Sequence, residues 1–246
     1  EVSAANDLQV GVSGTLSLAS ANTTFSAGRD LTQSSGFALS QSSPSQVSLS
    51  ACRDIRLQNN SVGLERFSAN ATRDLTLVSG ASQGYNINQS LDLVAGQRMS
   101  VNSTGGTTLN SSLGSLRLQG QSVDLRGTNY NLTGPTGVTV LATAGNLSFT
   151  GDVLTVSGSP IQWLSPTADV TIQGTGLSLF SSNLEVSAAN DLQLGVSGTL
   201  NLGAANTTFS AGRDLTQSSG FAFSQSSPSQ VSLSAGRDIR LQNSSV

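Results

Sequence analysis

Asp7, Asp30, Asp54, Asp74, Asn146, Asp169, Asp191, Asp214 and Asp238 recur at steps near 23 residues, and several follow an arginine in an Ala-Gly-Arg-Asp type of string. Carboxylates spaced by one structural period stack into a column, and such a column binds cations or sugars or serves as a structural corner ladder. Two like charges about 4.8 Å apart repel by about 1 kcal/mol in a water-like dielectric. A second column of Arg29, Arg53 and Arg73, with Arg98 in the aspartate position, offsets this. The residues therefore read first as a corner ladder in which Asp or Asn accepts backbone N–H bonds at the turn.

Other chemistries lack their parts. With no histidine and one cysteine, Cys52, a zinc-type cluster has no ligands and no intrachain disulfide is possible. Gly105-Gly106-Thr107-Thr108 lacks the acids of a calcium-binding β-roll. Asp92, Asp124 and Asp152 are roughly 30 residues apart rather than one period, which does not group them as the paired carboxylates of a glycosidase. Threonines occur as adjacent pairs (Thr23-Thr24, Thr107-Thr108, Thr207-Thr208), not as the Thr-x-Thr columns of an ice-binding face. Neither catalysis nor a cofactor is expected.

Ten Asn-x-Ser/Thr sequons, at Asn22, Asn59, Asn70, Asn88, Asn102, Asn110, Asn131, Asn146, Asn206 and Asn243, are candidate glycosylation sites if the chain passes through a eukaryotic secretory route. The 11 basic residues are all arginine and the formal net charge is -3, so neither a nucleic-acid partner nor an anionic membrane surface is expected. No run of about 18 apolar residues is present, and membrane insertion is not expected.

What would hold the acids in a column is the chain's periodicity. Residues 1–62 return as residues 185–246, an offset of 184, with seven mild differences: Val10/Leu194, Ser17/Asn201, Ala19/Gly203, Ser20/Ala204, Leu39/Phe223, Cys52/Gly236 and Asn60/Ser244. Residues 1–184 form one repeat and 185–246 the start of the next, in a single continuous unit that reads as a stretch of a longer array. The Cys52/Gly236 exchange marks that thiol as a tolerated small residue.

Within the repeat, short apolar-x-apolar pairs alternate with Gly, Ser, Asn and Asp: Leu8/Val10, Leu16/Leu18, Val47/Leu49, Ile55/Leu57, Leu75/Leu77, Leu91/Leu93, and so on to Val170/Ile172. Every third pair follows the corner string, and the steps between first apolar residues are 23, 24, 20, 24, 24, 24, 23, 22, 23 and 24. Period-2 alternation means strands, and three strands per step predict an all-β, three-sided parallel β-solenoid with about 23 residues per coil and eight coils per repeat. Helical stripes are absent. The shorter step, through Gly63-Leu64-Glu65-Arg66-Phe67, and the stretch Thr133-Gly134-Pro135-Thr136-Gly137 read as local loop variants. Parity points Phe25, Phe37, Tyr85, Tyr130, Phe149, Trp163, Phe209 and Phe221 inward.

The strings Ser26-Ala27-Gly28-Arg29-Asp30-Leu31, Ser50-Ala51-Cys52-Arg53-Asp54-Ile55 and Ser234-Ala235-Gly236-Arg237-Asp238-Ile239 resemble the repeats of filamentous-haemagglutinin-type secreted adhesins. That resemblance implies a long parallel β-helical shaft for surface attachment; it carries over no binding residues. The expected role is the structural shaft of an extracellular fibre or cell-surface appendage, joined to itself head to tail or laterally. The alternative is an adhesin stalk or a module that recognises glycan or a receptor through one face.

Overall fold

The computed structural model describes residues 1–11, 14–18, 22–34, 37–41, 46–58, 61–79, 83–218, 222–225 and 230–242. They form one parallel β-solenoid. All strand pairings are parallel, between residues one coil apart, and no helix occurs among the described residues. Of the sequence expectations, Asn59, Phe221 and Asn243 lie outside the described residues, as do the side chains of Leu18, Phe37, Leu39 and Asn88.

The first face carries the inward column Leu8, Leu31, Ile55, Leu75, Met99, Val123, Leu147, Val170, Leu192, Leu215 and Ile239, each in register with the next. This is the series of first apolar residues that the spacing picks out. The second face stacks Val62, Tyr85, Leu109, Leu132, Val156, Leu179 and Leu202. The third stacks Phe25, Leu49, Ala69, Leu93, Leu118, Val140, Trp163, Val186, Phe209 and Leu233. Together these columns, apart from the exposed end residue Ile239, make one core along the stack, with Leu75, Leu93, Leu132 and Val186 fully buried.

The predicted three separate strands per coil merge around many corners. Single strands run Val170–Ala188 and Leu192–Ala211, most of a coil each. Corners here are tight, and consecutive coils bend at the same place, so their ladder bonds continue through the bend. For the same reason Gly63-Leu64-Glu65-Arg66-Phe67 is not a loop: it lies inside the strand Ser61–Ala71, and the shortening falls between Gly63, which stands opposite Ser40, and Arg66, which stands opposite Gln46. Pro135-Thr136 does form a turn, followed by Gly137 at φ 147°, a conformation that L side chains rarely adopt.

The corner from the third face back to the first is lined inside by alanines: Ala4, Ala27, Ala51, Ala71 and Ala95 stack, and Ala188, Ala211 and Ala235 continue the column. The next residue comes so close to the preceding coil that a Cβ on Gly28 would stand 1.9 Å from the Ala5 carbonyl oxygen, and one on Gly96 1.9 Å from that of Thr72. Cys52, exposed, and Thr72 occupy the same place on their coils, with N–H to carbonyl distances of 3.2 and 3.1 Å against 2.8 Å at Gly28 and Gly96.

Two outcomes are expected. Leu93→Ala, at a fully buried position, lowers stability by about 2–5 kcal/mol, read as a reduced urea midpoint. Cys52→Gly, which recreates the residue at Gly236, leaves the stability within about 1 kcal/mol of the parent.

Candidate functional site: the corner ladder

Immediately after the alanine column the chain turns through an Arg-Asp pair, and stacking brings successive pairs together. Each arginine reaches back one coil. Arg29 grips Asp7, Arg53 grips Asp30 and Arg73 grips Asp54, in each case through Nε and one terminal nitrogen to the two carboxylate oxygens; the Nε distances are 2.7, 2.7 and 2.8 Å. The second repeat rebuilds the first two rungs, with Arg213 on Asp191 at 3.1 and 2.5 Å and Arg237 on Asp214. Bidentate pairing of this kind fits the planar guanidinium fork.

The same carboxylates also accept a backbone bond. Asp30 N–H donates to Asp7 Oδ1, Asp54 N–H to Asp30 Oδ1, Asp74 N–H to Asp54 Oδ1 and Asp214 N–H to Asp191 Oδ1, all at 3.3 Å. Each aspartate is thus a clamp on the coil that follows it, not a cap on its own turn. The aspartate's own carbonyl points the other way: Asp30 O accepts from Leu8 N–H at 2.8 Å and Asp54 O from Leu31 N–H at 2.9 Å.

Between the two sets of rungs the arginines stop. Gln97, Gln121, Gly145, Ala168 and Asn190 take their places, but the backbone part of the ladder persists. Arg98 N–H donates to Asp74 Oδ1 at 3.2 Å, Asp169 N–H to Asn146 Oδ1 at 3.3 Å and Asp191 N–H to Asp169 Oδ1 at 3.1 Å. The last aspartate, Asp238, pairs with Arg240 on its own coil at 3.0 Å. The 184-residue repeat therefore alternates a ladder with arginine rungs over residues 7–74 with a stretch over residues 98–169 that lacks them.

The arginine hydrogen bond beside each of Asp7, Asp30, Asp191 and Asp214 holds that carboxyl below its ordinary value, helped by the next coil's N–H and opposed by partial desolvation. The partner guanidiniums are correspondingly raised. With both carboxylate oxygens occupied, the ladder offers a ligand little; among the described residues no group of three His, Cys, Asp or Glu is placed to hold a metal ion.

The remaining acids are scattered. Asp92 stands beside Arg117 on the third face, Asp124 pairs with Arg126 at 2.8 Å on the first, and Asp152 sits exposed at the corner between the first and second. The sequon residues Asn22, Asn70, Asn102, Asn131, Asn146 and Asn206 are exposed and Asn110 is half-buried. Phe25, Tyr85, Tyr130, Phe149, Trp163 and Phe209 are buried. Tyr130 fills the corner opposite Phe149 at 5.4 Å, its hydroxyl 2.6 and 2.7 Å from the carbonyls of Arg126 and Val101, and burial pushes the phenol above its ordinary range.

Two features escape a reading of apolar pairs. Gln33 and its repeat mate Gln217 occupy the inward column of Leu57 and Leu77 and are buried. Gln217 clasps the main chain of the next coil, accepting from Gln242 N–H at 3.2 Å and donating to its carbonyl at 3.1 Å, and Gln33 accepts from Gln58 N–H at 3.1 Å. Parity alone, Leu31-Thr32-Gln33, points to the inward placement. Phe180 has outward parity and is 40% exposed, packed over Gly203 of the next coil.

The ladder sets a pH dependence with a definite sign. Carboxylates held below their unfolded value contribute stability above that value and lose it as protons compete in acid. The melting temperature is expected to be flat from pH 7 to about pH 5 and to fall below about pH 4. A variant with Asp7, Asp30, Asp191 and Asp214 all changed to Asn should show a smaller acid-induced drop; circular dichroism melts at each pH check it.

Compared with protein-family models, curated proteins and solved structures, the chain matches none, so its assignment stands on its geometry, that of a parallel β-solenoid built from tandem sequence repeats.

Proposed function

We propose that this chain is the non-catalytic structural shaft of an extracellular fibre or cell-surface appendage, made of tandem eight-coil units. The observation that carries the reading is the return of the same sequence, and of the same corner rungs, after 184 residues of continuous parallel stacking. A ladder that begins again in phase can be extended by further repeats without any change of geometry. Parallel hydrogen bonding along the axis, a continuous dry core and clamped corners resist local opening and proteolysis, as a shaft requires. The resemblance of the corner strings to filamentous-haemagglutinin-type adhesins fits this role, as does head-to-tail continuation into further units.

A second reading, a glycan-binding module, is favoured by one observation. An open hollow of about 260 Å³ at the corner between the second and third faces is lined by Gln162, Asn183, Glu185, Asn206 and Thr208, whose amide, carboxylate and hydroxyl groups are of the kind that hydrogen-bond sugar hydroxyls.

Cryo-electron microscopy of the native material separates the two. The shaft reading expects filaments with a strand-spacing layer line and an axial advance of about 38 Å per unit, eight coils at about 4.8 Å. Short rods ending in a globular tip would instead make the chain an adhesin stalk, and globular particles without axial repeat would refute the shaft. Extra density on the exposed sequon asparagines would place the fibre in a glycosylated coat.

A further inference from the structure

The three faces differ in what they show to solvent. The first carries Arg56, Asp124 and Arg240 at outward positions and the third carries Arg66, Asp92, Arg117 and Glu185. Among the described side chains, the two central outward rows of the second carry no charge over seven successive coils. Its outward rows read Ser61 and Gly63, Gly84 and Asn86, Thr108 and Asn110, Asn131 and Thr133, Thr155 and Ser157, Ser178 and Phe180, Asn201 and Gly203.

A separate observation singles out the same face. Among the described residues, the large hydrophobic side chains that are exposed are Val2, Leu113, Val153, Phe180, Ile239 and Leu241. Val2, Ile239 and Leu241 belong to the first and last coils. The other three, Val153 at 38%, Phe180 at 40% and Leu113 at 71%, stand on the second face or at its corner with the third.

We infer that the second face is a lateral interaction surface whose partner is the same face of a second copy of this chain. The inference rests on the fibre-shaft reading and names the side by which shafts bundle. Hydroxyls and carboxamides each both donate and accept, so a face built from Ser, Thr and Asn is complementary to itself, whereas a charged face repels its own copy. Both partners carry the same strand spacing, so their rows stay commensurate at every integral coil offset. Small side chains and glycines let the sheets approach closely, and Val153, Phe180 and Leu113 supply the apolar area. Flat polysaccharide is the poorer fit, because it is usually gripped by rows of exposed aromatics and among the described residues Phe180 is the one exposed aromatic on this face.

Size sets how strong the contact is. Seven coils by about five residues span roughly 34 by 16 Å, about 550 Å² on each copy and about 1,100 Å² in all, near the lower limit for a specific interface. One unit therefore associates weakly, and two units in tandem associate much more tightly because the second contact is intramolecular.

Sedimentation equilibrium of this chain and of a chain extended by one further 184-residue unit tests the idea. The expected result is concentration-dependent dimerisation, with Kd falling at least about tenfold on extension and dimers lost in Thr155→Arg and Ser178→Arg. Thr171→Arg, on the first face in the column that already holds Arg56, should leave dimerisation unchanged. Circular dichroism confirms that each variant is folded. Monomers at all concentrations in both chains, equal loss in Thr171→Arg, or native glycan on Asn110 or Asn131 would overturn the inference. Single unbundled filaments in the native material would overturn lateral pairing while leaving the shaft reading intact.

Discussion

No coil of this protein can bury its own apolar residues. A coil is a ring about one strand thick, and its inward side chains are covered only by the coils before and after it, through parallel ladders that fix register to the residue. Every other feature follows from that dependence. A one-residue slip would turn Leu75 or Leu93 outward and put their polar neighbours Thr76 and Asp92 inside. The alternating sequence makes such slips costly on all three faces together, which is how a core of small cross-section stays single-valued over many coils.

The corner ladder serves the same constraint from outside. Exposed ion pairs contribute modestly one at a time, but these are bidentate and repeated, and each shares its carboxylate with a backbone N–H of the next coil. Their contribution is as much to register as to energy, since an arginine offset by one residue would miss both oxygens. The buried glutamines Gln33 and Gln217 act alike from within, fastening the main chain of the next coil where a leucine could only pack. For Gln217 the neighbouring coil supplies partners for both ends of the amide, whereas at Gln33 it serves the oxygen and leaves the nitrogen unpaired among the described residues.

Much of this was legible beforehand. The series from Leu8 to Ile239 was readable because period-2 alternation and a recurring corner string are local signals, and eight steps fill the 184-residue offset. Strand merging around corners was not readable, because a bend becomes part of a strand only when the coil above bends with it. The shortened coil after Ile55 looked like a loop for the same reason: its missing residues were visible, but their absorption between the Ser40–Gly63 and Gln46–Arg66 pairings depends on the preceding coil.

The sequence by itself determined the period, the inward parity, the number of coils per repeat and the positions of Asp and Arg at the corners, since each is a relation among residues close in the chain. Tertiary structure decided which partners those residues take. Arg53 follows Asp30 by 23 residues and precedes Asp54 by one, yet it grips Asp30 with two nitrogens and only approaches Asp54, at 3.7 Å. The inward clasp of Gln217 and the charge-free second face with Phe180 and Val153 on it are likewise products of stacking. Contacts across a coil rise join residues about 23 apart; the period gives that separation, but which atoms meet across it is set by how the corners fold, which no local pattern records.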